Sequence, residues 1–137
     1  MVIKLLLTLI FWSGSASLVL AQSKFSEEKI TNYARAAHAI EQKRTEILQR
    51  ATSSPDWAVV SQKANARGLN ICDLAKEEQT GAIQSLCREL FIFAEQERRR
   101  NGFDTNSEFN HMTRALQQDR TLQERVRRRL AEQGAGR

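Results

Sequence analysis

The sequence predicts an all-α fold, a small bundle of four to five helices with a disulfide-stapled central loop. Three observations predict it. Apolar residues recur at three- and four-residue steps along most of the chain, the pattern of helices buried on one face. The 137 residues hold one Pro and six Gly, too few for the turns of a sandwich or barrel. No run reads as a strand. The length allows one small domain and no second core.

Residues 1–21 read as a signal peptide. Lys4 supplies a positive start, Leu5 to Trp12 form an apolar run, and Ser13-Gly14-Ser15-Ala16-Ser17 breaks it. Val19-Leu20-Ala21 places short side chains where a signal peptidase reads them, so cleavage is expected after Ala21. A spanning helix needs roughly 20 consecutive apolar residues, and the Ser/Gly cluster interrupts too early for that. The expected domain is 22–133, followed by a flexible tail at 134–137. The chain is expected to be exported, to a periplasm or, in a cyanobacterium, to the thylakoid lumen.

Removing 21 residues from 137 leaves 116, with 20 basic and 16 acidic side chains, a net +4. Leu, Ile, Val and Phe together make 22 of those 116, a thin core for a folded chain. Both cysteines, Cys72 and Cys87, fall in the exported part. An even count in an oxidising compartment predicts one disulfide, and a closed loop of roughly 15 residues is worth about 3 kcal/mol in the chain-entropy account.

The first helix is expected from Ser26, a good N-cap, to Ala51. Glu27 and Glu28 suit the positive helix end, and Phe25 with Ile30 fits a hydrophobic staple. Ile30, Tyr33, Ala34, Ala37, Ile40, Ile47, Leu48 and Ala51 form its stripe. Arg44 interrupts that stripe and is expected to snorkel to its edge. Ser54 as cap with Pro55 at the first helical position predicts a second helix that Gly68 ends. Leu69 to Gly81 is irregular and reads as a loop held by the bridge. The third helix runs from about Ala82 to Asn101 and is expected to be central. Its buried stripe is Ile83, Leu86, Cys87, Leu90, Phe91 and Ala94, widened by Ile92 and Phe93. Gly102 sits where a left-handed cap belongs, with Phe103 as its apolar contact. Thr105-Asn106-Ser107-Glu108 is a capping box for the fourth helix. Asp119 is the expected cap of the fifth, with Thr121-Leu122-Gln123-Glu124 as an alternative capping box, and Leu122, Val126 and Leu130 repeat every four residues.

Two segments resemble a known family. The start Phe25-Ser26-Glu27-Glu28-Lys29-Ile30 leads into the alanine-rich Tyr33-Ala34-Arg35-Ala36-Ala37. The end carries Glu108-Phe109-Asn110-His111-Met112-Thr113, then Gln118-Asp119-Arg120-Thr121-Leu122-Gln123-Glu124-Arg125-Val126. Together they are similar to the bacterial domain of unknown function 4168, over about Phe25 to Leu130. The resemblance implies an exported helical domain of a kind common in cyanobacteria, some members with a central Cys pair. It implies no catalytic residues. Arg120 departs from the pattern, standing where the family often has Pro.

The chemistry-bearing residues point away from catalysis. Glu108 and His111 make one E-x-x-H step, whereas di-iron bundles use two such steps and two further Glu. No metal and no cofactor is expected. There is no nucleophile elbow, no Cys-x-x-Cys pair and no Gly-rich phosphate loop. Arg98, Arg99 and Arg100, and again Arg127, Arg128 and Arg129, each end a helix. There they complement the negative dipole end or form a candidate anion-binding patch. Nucleic acid is a poor candidate partner, because the chain is exported and its aromatics do not interleave with the basic residues. Trp57, Phe91, Phe93 and Phe103 are candidates for a small pocket, or for the core itself. The expected function is a non-catalytic binding or structural module of the cell envelope. The alternative is an envelope-stress holdase or anionic-surface binder using the Arg clusters.

Overall fold

The structure, a computed structural model, describes residues 24–134. The segment expected to be a signal peptide lies, with residues 22, 23 and 135–137, outside the described residues. Five α-helices follow in order, α1 (Glu27–Thr52), α2 (Trp57–Ala66), α3 (Gly81–Arg100), α4 (Asn106–Gln118) and α5 (Arg120–Gly134), and no strand occurs among the described residues. Two short 3-10 turns, Ile71–Asp73 and Lys76–Glu78, fill the connection between α2 and α3. None of the described helices is long and apolar enough to cross a membrane.

α1 starts as its sequence demands. Ser26 is extended at φ −65°, ψ 158°, and its hydroxyl accepts from the Lys29 N–H at 3.1 Å. The cap satisfies a donor that the helix cannot. Ile30, Ala34, Ala36, Ile47 and Ala51 are fully buried along α1. α1 packs against both α3 and α5, so α1, rather than the expected α3, is the strut that joins the bundle. Its stripe is longer than that of α3 and includes small alanines that let neighbours approach.

α1 and α3 run antiparallel, and the single core expected from the length is instead divided into two clusters, one at each end. One core gathers Ile30, Tyr33, Ala34, Phe103, Met112, Leu122 and Val126. Tyr33 stacks on Phe109 at 4.7 Å between centroids, and Phe103 meets Phe109 edge-on at 5.1 Å. The other core gathers Ala51, Val60, Ala64, Ile71, Leu74, Ile83 and Cys87.

The helix ends mostly match expectation. Gly68 at φ 63° and Gly102 at φ 78° close α2 and α3. At each, the following N–H reaches back to an orphan carbonyl, Leu69 to Ala64 at 3.0 Å and Phe103 to Arg98 at 2.9 Å. This six-to-one bond needs the left-handed residue that Gly supplies cheaply. The Asp119 Oδ1 accepts from Leu122 N–H at 3.0 Å and caps α5.

Three expectations need correction. α2 begins at Trp57, not at Pro55. The N–H groups of Ser53 and Ser54 first bond to Arg50 and Ala51. The turn thus satisfies the last carbonyls of α1 before a new helix can start. The Ser54 hydroxyl, expected to cap, is buried without a partner. Glu108 does not complete a capping box. Thr105 accepts from the Glu108 N–H at 3.2 Å, but the Glu108 carboxylate pairs with Lys29. Phe91 is not part of the buried stripe. It is 64% exposed and Ile92 is 50% exposed, because only one side of α3 finds a neighbour.

Candidate functional site

A cleft of about 330 Å³ opens midway between the two cores. α1 contributes Ile40, Arg44, Ile47 and Leu48 to it, residues three and four apart on one face. α3 contributes Leu90, Phe91, Ala94 and Arg98 by the same spacing. The first 3-10 turn closes one end with Ile71, Cys72 and Asp73, and α4 closes the other with Phe109, Asn110 and Thr113. The floor is apolar and the ends are polar, the usual make-up of a small-molecule site.

One wall of the cleft is covalently held. Cys72 and Cys87 form a disulfide with Cα atoms 5.3 Å apart, tying the 3-10 turn to α3. The segment is held by other contacts as well: Arg67 pairs with Glu78, and the Gln84 side chain donates to the Lys76 carbonyl at 2.6 Å. Ile71 and Leu74 are its buried anchors, and the Gln79 side chain donates to the Leu74 carbonyl at 2.8 Å. Phe91 and Cys72 also border a second hollow of about 740 Å³ reaching to Gln84 and Arg88. Phe91 therefore stands exposed between two concave surfaces.

The two arginine triplets do not act as two uniform patches. Arg99 pairs with Glu95 at 2.7 Å and Arg100 with Glu97 at 2.7 Å. Arg127 pairs with Glu124 at 2.7 Å. Arg129 bridges Glu27 at 3.2 Å and Glu132 at 3.0 Å. Arg125, outside the triplets, joins it on Glu27 through Nε at 2.8 Å. The bond from Arg125, then that from Arg129, holds the Glu27 carboxyl below its usual range. Arg128 is exposed. Arg98 differs from the paired arginines in having no carboxylate partner, although it shares a buried, unpartnered Nε with Arg129. Its guanidinium lies 5.8 Å from the Phe109 ring centroid, its Nε is buried without a partner, and burial draws it below the usual arginine range.

A family model described as a domain of unknown function, DUF4168, matches residues 26–126. The chain belongs to the DUF4168 family. No curated protein and no solved structure matches it. The DUF4168 match begins at the α1 cap and ends in the middle of α5, so it takes in both cores and every wall of the cleft. Arg120, where the family pattern often has Pro, is the first residue of α5. That position carries no intrahelical donor, so the absence of Pro leaves the helix start intact.

Other candidate residues of this DUF4168 domain have structural occupations. His111 is exposed and lies tilted against Phe25, with centroids 5.8 Å apart. Its intended partner Glu108 is held by Lys29, whose ammonium also donates to the Gly102 carbonyl at 3.1 Å. His38 is half-buried. Among the described residues, no three His, Cys, Asp or Glu gather in a way that could hold a metal ion. Of the four candidate pocket aromatics, Phe103 is 1% exposed and wholly core. Phe91 borders the cleft, and Trp57 is packed against the second core.

Sequence reasoning missed the cleft itself. It also missed an ion network between α1 and α3, in which Lys43 and Arg50 both reach Glu89, at 2.7 and 2.8 Å. The bond from Arg50, then that from Lys43, holds the Glu89 carboxyl down to about 2. It missed the buried pair Glu97 and Asn101, where the Asn101 amide donates to the Glu97 carbonyl at 2.8 Å. The one available signal was Arg44. A cation on an apolar stripe marks the edge of a buried face, and here that edge is the rim of the cleft.

Proposed function

We propose that this protein is an exported, non-catalytic binding module of the cell envelope, working in a periplasm or a thylakoid lumen. The observation that carries the reading is the cleft with its disulfide-held wall and its exposed Phe91. An apolar concavity lined from four separate elements is a place to hold something. Support for export comes from the signal-like first 21 residues and from the Cys72–Cys87 bond, a type of bond that persists in oxidising compartments. Support for a non-catalytic role comes from where the reactive side chains are spent. Both cysteines are in the bridge, Glu108 is paired with Lys29, and His111 lies against Phe25.

Native mass spectrometry of the protein from its own envelope tests this. The expected species is an oxidised chain beginning at Gln22, carrying a partner or an organic ligand. A stoichiometric metal would overturn the non-catalytic reading, and reduced cysteines would overturn export. The rival, an anionic-surface binder built on the Arg triplets, has less support, because four of the six arginines already pair with carboxylates. Replacing both triplets with Gln is expected to leave the protein's retention on anionic vesicles unchanged.

A further inference from the structure

The cleft is chemically polarised. Ile40, Ile47, Leu48, Leu90 and Phe91 make an apolar trough along α1 and α3. Leu48 is 36% and Phe91 64% exposed, so the trough is open to an incoming molecule. Because α1 and α3 are antiparallel, Arg98 and α4 stand at one end of the trough, and the disulfide-tied turn stands at the other. Asp73, at that far end, accepts from the Asn70 amide at 3.0 Å. Arg44, on the rim, is held by Glu41 at 2.6 Å.

Arg98 is the cation of the cleft without a carboxylate; Arg129 also has a buried Nε without a partner, but its terminal nitrogens pair with Glu27 and Glu132. A buried guanidinium N–H normally finds an acceptor, and leaving it without one is costly. The neighbouring arginines Arg99 and Arg100 have carboxylates, whereas the Arg98 Nε has none. The Phe109 ring gives the cation a face to lie over, but a ring supplies no acceptor for Nε. An arginine fork matches a planar carboxylate with two parallel bonds, as it also matches a phosphate.

We propose that this cleft binds a single-chain carboxylate amphiphile of medium length, its chain along the apolar trough and its head group at Arg98. The inference rests on the binding-module reading and names its ligand class. The head group would give the Arg98 guanidinium the carboxylate partner that Arg99 and Arg100 have and it lacks. The trough would shield the chain from water, and the distant Asp73 would disfavour the reverse orientation. The Cys72–Cys87 bond would keep the far wall in place, so ligand and bridge are coupled.

The test is calorimetric titration of the oxidised protein, residues 22–137, with decanoate and with decanol. Decanoate is expected to bind at one site at least tenfold more tightly than decanol. Arg98→Gln is expected to weaken decanoate at least tenfold while leaving decanol within twofold. Leu48→Glu, at an exposed trough position that tolerates a charge, is expected to weaken both, and decanoate more. Circular dichroism of each variant shows that it is folded. Decanoate binding that neither variant changes overturns the proposal, as does equal affinity for decanoate and decanol, or no binding. Such a failure leaves the module reading standing, since the native mass spectrum tests that independently.

Discussion

At one end of the bundle Tyr33, Phe103 and Phe109 interlock over Met112, Leu122 and Val126. At the other end the core is made of alanines, valine, Ile71, Leu74, Ile83 and Cys87, with Trp57 against its edge, and the chain from Leu69 to Thr80 offers only two 3-10 turns. The aromatic end binds regular helices whose caps and stripes hold them in place, and the Lys29–Glu108 and Glu27–Arg125 pairs lie beside its core. The other end has an irregular segment that buries little, and a disulfide holds it. A thin core is adequate where large side chains mesh, and needs a covalent tie where they are small. The cleft lies at the seam between the two, where neither core fills the space.

Removing the mesh should have the largest effect. Phe103→Ala is expected to cost about 3–5 kcal/mol, as large core truncations do, and equilibrium denaturation measures it. A loss under 1 kcal/mol would mean that the aromatic end is not the stronger one. Removing the staple comes next. Replacing Cys72 and Cys87 by Ala is expected to cost about 3 kcal/mol. Hydrogen exchange should show the loss concentrated in residues 69–80, with α4 and α5 still protected. Uniform deprotection would show that the two ends unfold as one unit. Asp119→Ala, which deletes the α5 cap, is expected to cost about 1 kcal/mol and to fray α5 alone, read from its amide exchange.

The smallest effect concerns the ion network that links α1 to α3. With its carboxyl held near 2 against an ordinary 4.5, Glu89 contributes stability that is fully present above the ordinary value. That contribution is lost as pH falls from 4.5 toward 2. Glu89→Gln should therefore flatten the acid side of the thermal-midpoint profile in that window and leave it unchanged near neutrality in slope. An unaltered acid profile would remove Glu89 from the link between α1 and α3.

Legibility in the sequence followed locality. Ser26, Gly68, Gly102, Thr105 and Asp119 act on backbone groups within a few residues, so their roles can be read from neighbours alone. Ser54 and Glu108 carried equally good local signals and were diverted. The α1 carbonyls captured the turn around Ser54, and Lys29, far away in the chain, captured Glu108. Phe91 and Leu90 are adjacent on one apolar run, yet only Leu90 is buried. Apolar character says that a residue favours burial, and which flank of a helix meets a neighbour is a property of the assembled bundle. The Arg triplets show the same divide. Their place at helix ends is legible, but their carboxylate partners are mostly set by helix spacing, and Glu27 by tertiary contact.

Taken alone, the amino-acid order determined a bundle of four to five helices, most of their caps, the absence of strand-forming runs and the pairing of two cysteines. These depend on periodicity, short-range hydrogen bonding and an even thiol count. Tertiary structure decided that α1 is the strut, that Glu89 gathers two cations, that Phe91 faces outward, and that a cleft with an unpaired Arg98 Nε opens at the seam. Each of these depends on how far apart two helices stand and which faces they turn to each other. Distant side chains settle those distances jointly through packing, and no local pattern encodes them.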